Sequence, residues 1–203
     1  MVAIAPVTNT KLAKNYDNIL EIDVKGHKTL DDVNEADFKA LSVGISTVTP
    51  SAQETAETNY FWAGRGTAET DTPAKTIQYA FTGKRSLGDP AQEFVDDKFL
   101  KVGDALKTLA RITDFNTGKT IFAIATISSP VGFGGNANSS ATFSGTLKID
   151  GMPWLVKPGA DVIELNDEST LPFPTKGLPF HPALDRSKPS TGGVVTQTPA
   201  PKV

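Results

Sequence analysis

Apolar and polar positions alternate with a period of two in several short runs, the signature of strands buried on one face. Leu20, Ile22 and Val24 alternate with Glu21, Asp23 and Lys25. Phe38, Leu41, Val43 and Ile45 lead into a second strand that Pro50 is expected to close. Ile77, Tyr79 and Phe81 share one face of a third run, with Thr76, Gln78, Ala80 and Thr82 on the other. Residues 106–113 and 120–128 read as two strands around the turn 114–118, which makes a hairpin. The second of these, with Ile121, Phe122, Ile124 and Ile127, is apolar on both faces and so belongs in the middle of a sheet, covered by a second layer or a neighbouring subunit. The last alternation is the cleanest. Ala141, Phe143, Gly145, Leu147 and Ile149 oppose Thr142, Ser144, Thr146, Lys148 and Asp150, and Trp154 closes the unit.

One helix is expected, over 89–102. Asp89 suits the N-cap, Pro90 the first helical position, and Gln92 the third position of a capping box. Ala91, Val95, Phe99 and Val102 fall on one stripe at helical spacing, and Gly103 ends the pattern. The acidic run 30–37 reads as a solvated turn or short helix with a charged face.

Residues 51–75 show almost no periodicity, too long a stretch for an idle loop in a compact domain. At the centre stand Tyr60, Phe61 and Trp62, followed by Arg65. A hairpin folded back on its own domain is one reading. The sharper one is a protruding loop whose aromatics are buried by another chain, since such anchors in a polar surround are typical of interfaces.

These elements divide the 203 residues into an N-terminal arm with one short strand (1–40), a β-domain (41–154) and a C-terminal extension (155–203) that holds eight of the 14 prolines. The fold class is mainly β, a sandwich or partly open barrel with one flanking helix, a long loop and extended terminal arms. The extension cannot sustain regular structure for long and must dock against something to be ordered. No run of apolar residues reaches membrane-spanning length, and no secretory leader is evident, so synthesis in a cytoplasm is expected.

Composition mainly excludes. The chain has no cysteine and only His27 and His181, which removes thiolate chemistry and leaves little for metal or general-base work. Its charges nearly cancel, 20 basic against 23 acidic, for a formal −3, so strong binding to nucleic acid backbone is not expected. The 24 threonines, 17 glycines and 14 prolines favour strands and turns. The run 116–120 imitates the end of a phosphate-binding loop, but Thr113 stands where that motif needs glycine and no helix follows. No nucleophile elbow is present, and Asp96 and Asp97 read as wet surface acids. No catalytic residue, metal site or cofactor is expected.

The order of strand to Pro50, long loop to Lys75, strand 77–82, helix from Asp89, hairpin 106–128 and final strand around 141–147 resembles the major tail tube proteins of long, non-contractile-tailed (siphovirus-type) bacteriophages. The resemblance covers about 1–154. It implies a structural virion protein: a small β-sandwich whose inner strands join those of five neighbours in a hexameric ring, with rings stacked into a tube that conducts the genome. It implies self-association, a tape measure protein and tail-end proteins as partners, and transient non-specific passage of double-stranded DNA. Candidate contacts between subunits or rings are Tyr60, Phe61, Trp62, Arg65, Ile121, Phe122 and Ile124. Candidates for the lumen are Thr76, Gln78, Thr142, Ser144 and Thr146, on the polar face of either the Phe143 strand or the Ile77 strand. The slightly acidic charge has the sign that lets DNA slide without sticking. The alternatives are another ring-forming virion protein, such as a tail terminator or decoration protein, and a bacterial β-sandwich that binds a ligand or carbohydrate.

Overall fold

Seven strands form one open antiparallel sheet, in the order β2-β1-β5-β6-β7-β4-β3. A computed structural model describes residues 12–156 together with Pro179. The strands are β1 (Asn18–Asp23), β2 (Phe38–Ala40), β3 (Ile45–Tyr60), β4 (Ala68–Lys84), β5 (Lys107–Asp114), β6 (Lys119–Val131) and β7 (Thr142–Val156), and the single α-helix of the described residues, α1, spans Pro90–Asp96. The fold is mainly β with one flanking helix, as expected, and its strands make one open sheet. The two-faced apolar strand is indeed central: β6 lies fourth of the seven.

Each face of β6 packs against a different cover. On one, Ala125 and Ile127 join Leu20, Ile22, Ala110, Phe81, Phe143 and Leu147 beneath Ala91 and Val95 of α1. On the other, Phe122 and Ile124 join Leu109, Trp154 and Val156 beneath Val33 and Leu30 of a short 3₁₀ turn, Leu30–Asn34. That turn is where the acidic run was expected to form a small charged element. Fully burying an apolar side chain of this size stabilises by roughly 1.5–3 kcal/mol, so two such layers supply the driving force for the sheet.

Four expectations change. The second strand does not end at Pro50; it breaks at 41–44 into β2 and β3, and β3 runs through Pro50 to Tyr60. Proline is tolerated there because β3 is an edge strand, so one side of its backbone needs no ladder donor. The segment expected as an arm contributes β1 and β2, which pair with β5 and with each other.

The helix also ends early. Asp89 caps it as expected, its carboxylate accepting from the Gln92 amide at 2.9 Å. After Asp97 the chain makes i→i−3 bonds, Lys98 to Val95, Phe99 to Asp96 and Lys101 to Lys98, and turns away from the sheet. Phe99 and Val102, expected on the buried stripe, are therefore exposed. Gln92 is not a capping-box side chain. It is wholly buried, with its amide oxygen accepting from Ser86 N–H at 2.7 Å and its amide nitrogen donating to the Val43 carbonyl at 2.6 Å. The first eleven residues, His181 and the extension beyond Val156 apart from Pro179 lie outside the described residues.

Candidate assembly interface

β3 and β4 pair continuously from the sheet out to Tyr60 opposite Ala68. β7 accompanies β4 only from Lys84 to Gln78. From Ala52 onward the two strands therefore leave the sheet as an unsupported ribbon of nine residues on β3 and ten on β4, roughly 30 Å at about 3.3 Å per residue. So the segment 51–75 is a regular hairpin, and it projects without folding back: residues 52–58 and 60–76 are all exposed. Its threonines favour extended backbone, and a bulge between Thr55 and Glu57 absorbs Pro73.

Tyr60, Phe61 and Trp62 crown this ribbon, with Trp62 100% exposed. A 3₁₀ turn over Trp62–Gly64 reverses the chain, and Arg65 follows in the left-handed region at φ 51°. A two-stranded ribbon is marginally stable by itself in water. This one carries no core side chain of its own.

The five lumen candidates come together on one surface. Cross-strand register places Thr142 opposite Lys84, Ser144 opposite Thr82, Thr146 opposite Ala80 and Lys148 opposite Gln78. Gln78 in turn faces Ser51, and Thr76 faces Gln53. Directly opposed residues in a ladder share a face. The polar faces of the Phe143 and Ile77 strands are thus the same face, extended by Thr47, Thr49 and Ser51 of β3. Hydroxyls and amides dominate it; its charges are Lys84, Lys148 and Asp150, with Lys107, opposite Thr126 on the same face, held by Asp104 at 2.9 Å. α1 lies on the reverse side, over the Phe81 and Phe143 layer.

The β6 candidates separate. Phe122 is wholly buried in its own subunit, edge-on to Phe38 with ring centroids 6.2 Å apart. It is therefore corrected from a contact candidate to a core residue. Ile121 and Ile124 are half-buried, and Ile124 packs on the Trp154 layer.

Sequence reasoning missed a buried ion pair. Arg111 donates through Nε and Nη2 to both oxygens of Glu21, at 2.5 and 2.7 Å, from opposite positions on β5 and β1. The guanidinium also lies over the Phe38 ring, 4.6 Å from its centroid, and donates to the Pro179 carbonyl. The cross-strand pairing of opposite charges was the available signal, visible only once β1 and β5 are known neighbours. Asp23 is buried as well. It accepts from the backbone N–H of Lys25, His27 and Asp37, and His27 Nδ1 sits 2.7 Å from its carboxylate.

Among solved structures, the chain is similar to one described as the tail of an empty gene transfer agent particle with C6 symmetry, at TM-score 0.56 and 13% identity over 70% of this chain and 97% of that one. It is also similar to a chain of the virion of a native gene transfer agent particle, at TM-score 0.55 and 12% identity over 71% and 99%. The fold is shared with a chain of a tail particle. No protein-family model and no curated protein matches in sequence.

Proposed function

We propose that this chain is the tube-forming structural protein of a phage-type tail, assembling into homohexameric rings that stack into the conduit for genome delivery. The observation that carries this reading is the β3–β4 ribbon, an aromatic-tipped extension exposed on both faces, which no described residue of the subunit covers. The shared fold with chains of gene transfer agent particles supports it, and the six-fold symmetry of one of those tails suggests the ring number.

The sheet suits ring closure. It is open, and the long edge strand β3 has backbone groups on its outer side without a strand partner among the described residues. Lateral contact repeated around a closed ring would cover that edge in every copy. The hydroxyl-rich face carrying Gln78, Thr142, Ser144 and Thr146 then lines the bore, and α1 faces outward. Phosphate-binding proteins draw their affinity from clustered cations, which this face lacks, so DNA passes without being held. In this reading the protein acts in the virion tail without catalysis, after synthesis in the host cytoplasm. Tape measure and tail-end proteins are its remaining partners.

Negative-stain microscopy of the purified chain tests the proposal. Tubes are the expected result. Discrete rings point to a terminator or decoration protein, and monomers at every concentration overturn self-assembly.

A further inference from the structure

Two exposed apolar features lie at opposite ends of the subunit. The register defines the direction: going from Lys84 to Gln78, β4 runs alongside β7 from Thr142 to Lys148, and β5 continues the same way from Lys107, which is level with Gln78, to Asp114. The ribbon continues that way, past Gln78, to its aromatic tip. The turn 98–102 leads through a 3₁₀ segment, Gly103–Leu106, into the other end of β5 at Lys107.

That turn exposes Phe99 (57%), Leu100 (86%) and Val102 (82%) in a row broken only by Lys101. It is basic. Lys98 sits 4.0 Å over the Phe94 ring, and its ammonium is pushed below the usual lysine range first by burial, then by Lys101 and Lys28, with Asp97 opposing. Lys107 is taken up by Asp104 at 2.9 Å, so Lys28, Lys98 and Lys101 outnumber Asp97.

The ribbon is the electrostatic complement. Near its tip Glu57 stands directly opposite Asp71, and Glu69 is two residues from Asp71 on the same face, opposite Asn59. Like charges opposed across strands destabilise a ribbon. Lys75 does not relieve them, because it bridges Glu54 at 2.9 Å, and with Arg65 at the turn the outer ribbon stays net acidic, three carboxylates to one cation.

We propose that the aromatic, acidic tip of the β3–β4 ribbon docks on the basic, apolar turn 98–102 of a second copy of this chain. Tyr60, Phe61 and Trp62 cover Phe99, Leu100 and Val102, while Lys98 and Lys101 neutralise Glu57, Glu69 and Asp71. Such a contact joins different surfaces of identical subunits at opposite ends, so it repeats without closing and sets the axis of growth. Apolar anchors ringed by opposite charge give it both affinity and register. The proposal rests on the tube reading and specifies which surface receives the ribbon.

Charge exchange in the full chain tests it, with tubes quantified by pelleting and microscopy and folding checked by circular dichroism. The pair K98E/K101E is expected to raise the concentration needed for tube growth on the order of tenfold or more, and E57K/E69K to do the same, since each sets like charges face to face. Combining all four restores opposite charges and recovers most of the loss. Because the chain has no cysteine, Arg65→Cys with Leu100→Cys provides a second readout: oxidised tubes yield a ladder of covalently joined subunits. Folded K98E/K101E chains growing tubes at the wild-type concentration, or no ladder from oxidised tubes, would overturn this docking while leaving the tube reading intact. A wild-type chain that forms no tubes would overturn both.

Discussion

The ring of Phe81 is aimed at Gly145 on the neighbouring strand, where a Cβ would stand 2.7 Å from its Cζ. Phe81 is wholly buried and packs 5.7 Å from the Phe143 ring, so it has little room to retreat. Glycine here supplies space, not turn geometry. Gly145→Ala is expected to cost about 1–3 kcal/mol through overpacking, read as a lower melting temperature of the subunit. Adding Phe81→Leu should recover part of that loss, because the shorter side chain withdraws from the new methyl group.

Gln92 ties the start of α1 to two loops. Replacing it with leucine keeps the volume roughly constant but leaves the Val43 carbonyl and Ser86 N–H without their partner. Each buried polar group so stranded costs about 1–3 kcal/mol. Urea unfolding should show the loss, and hydrogen exchange at the Ser86 amide should speed up.

The Glu21–Arg111 pair joins β1 to β5 inside the second layer. Arg111→Ala leaves a buried carboxylate without its guanidinium, for which about 3–5 kcal/mol of destabilisation is expected. Glu21→Leu combined with Arg111→Met should be far less damaging, because it removes both charges and keeps the volume. A double-mutant cycle by chemical denaturation checks this, and equal damage from the single and double replacements would contradict it.

Much of the fold was legible because burial on one face imprints alternation on sequence. β5, β6 and β7 carry that imprint, and the two apolar faces of β6 announced a central strand. The ribbon carries none, since neither of its faces is buried by the described residues of the subunit. Its regular pairing from Ala52 to Tyr60 was invisible for that reason, although the aromatic triplet marked its tip. The helix was overextended because Phe99 and Val102 have the spacing of a buried stripe; periodicity alone does not say whether a partner surface continues beneath them. For Glu21 and Asp23 the alternation implies solvent; instead Arg111 meets Glu21, and the N–H groups of Lys25, His27 and Asp37 close over Asp23.

Acid should loosen the β5–β6 turn. Thr117 Oγ1 donates to the Asp114 carboxylate at 2.7 Å, and this bond, aided by the Asn116 and Thr117 amides and opposed by slight burial, holds the acid below its ordinary value of 3.8. A group whose folded value is depressed stabilises above its unfolded value and loses that contribution as pH falls through the folded one. The window therefore lies below about pH 4. Thr117→Ala is expected to raise the Asp114 titration towards 3.8, as followed by carboxylate NMR.

Changing Tyr60, Phe61 and Trp62 together to alanine should leave the melting temperature almost unchanged, since no core residue is lost. Tube growth should stop. Normal tubes from this variant would remove the aromatic tip from the stacking contact.

A helical cryo-electron microscopy reconstruction of the assembled protein would show directly which surfaces line the bore and join the rings. Six subunits per ring are expected, with Gln78, Thr142, Ser144 and Thr146 on the bore, α1 outside, and Trp62 buried against the adjacent ring. A bore lined by α1 or by clustered lysines and arginines, with the ribbon free in solvent, would contradict this arrangement.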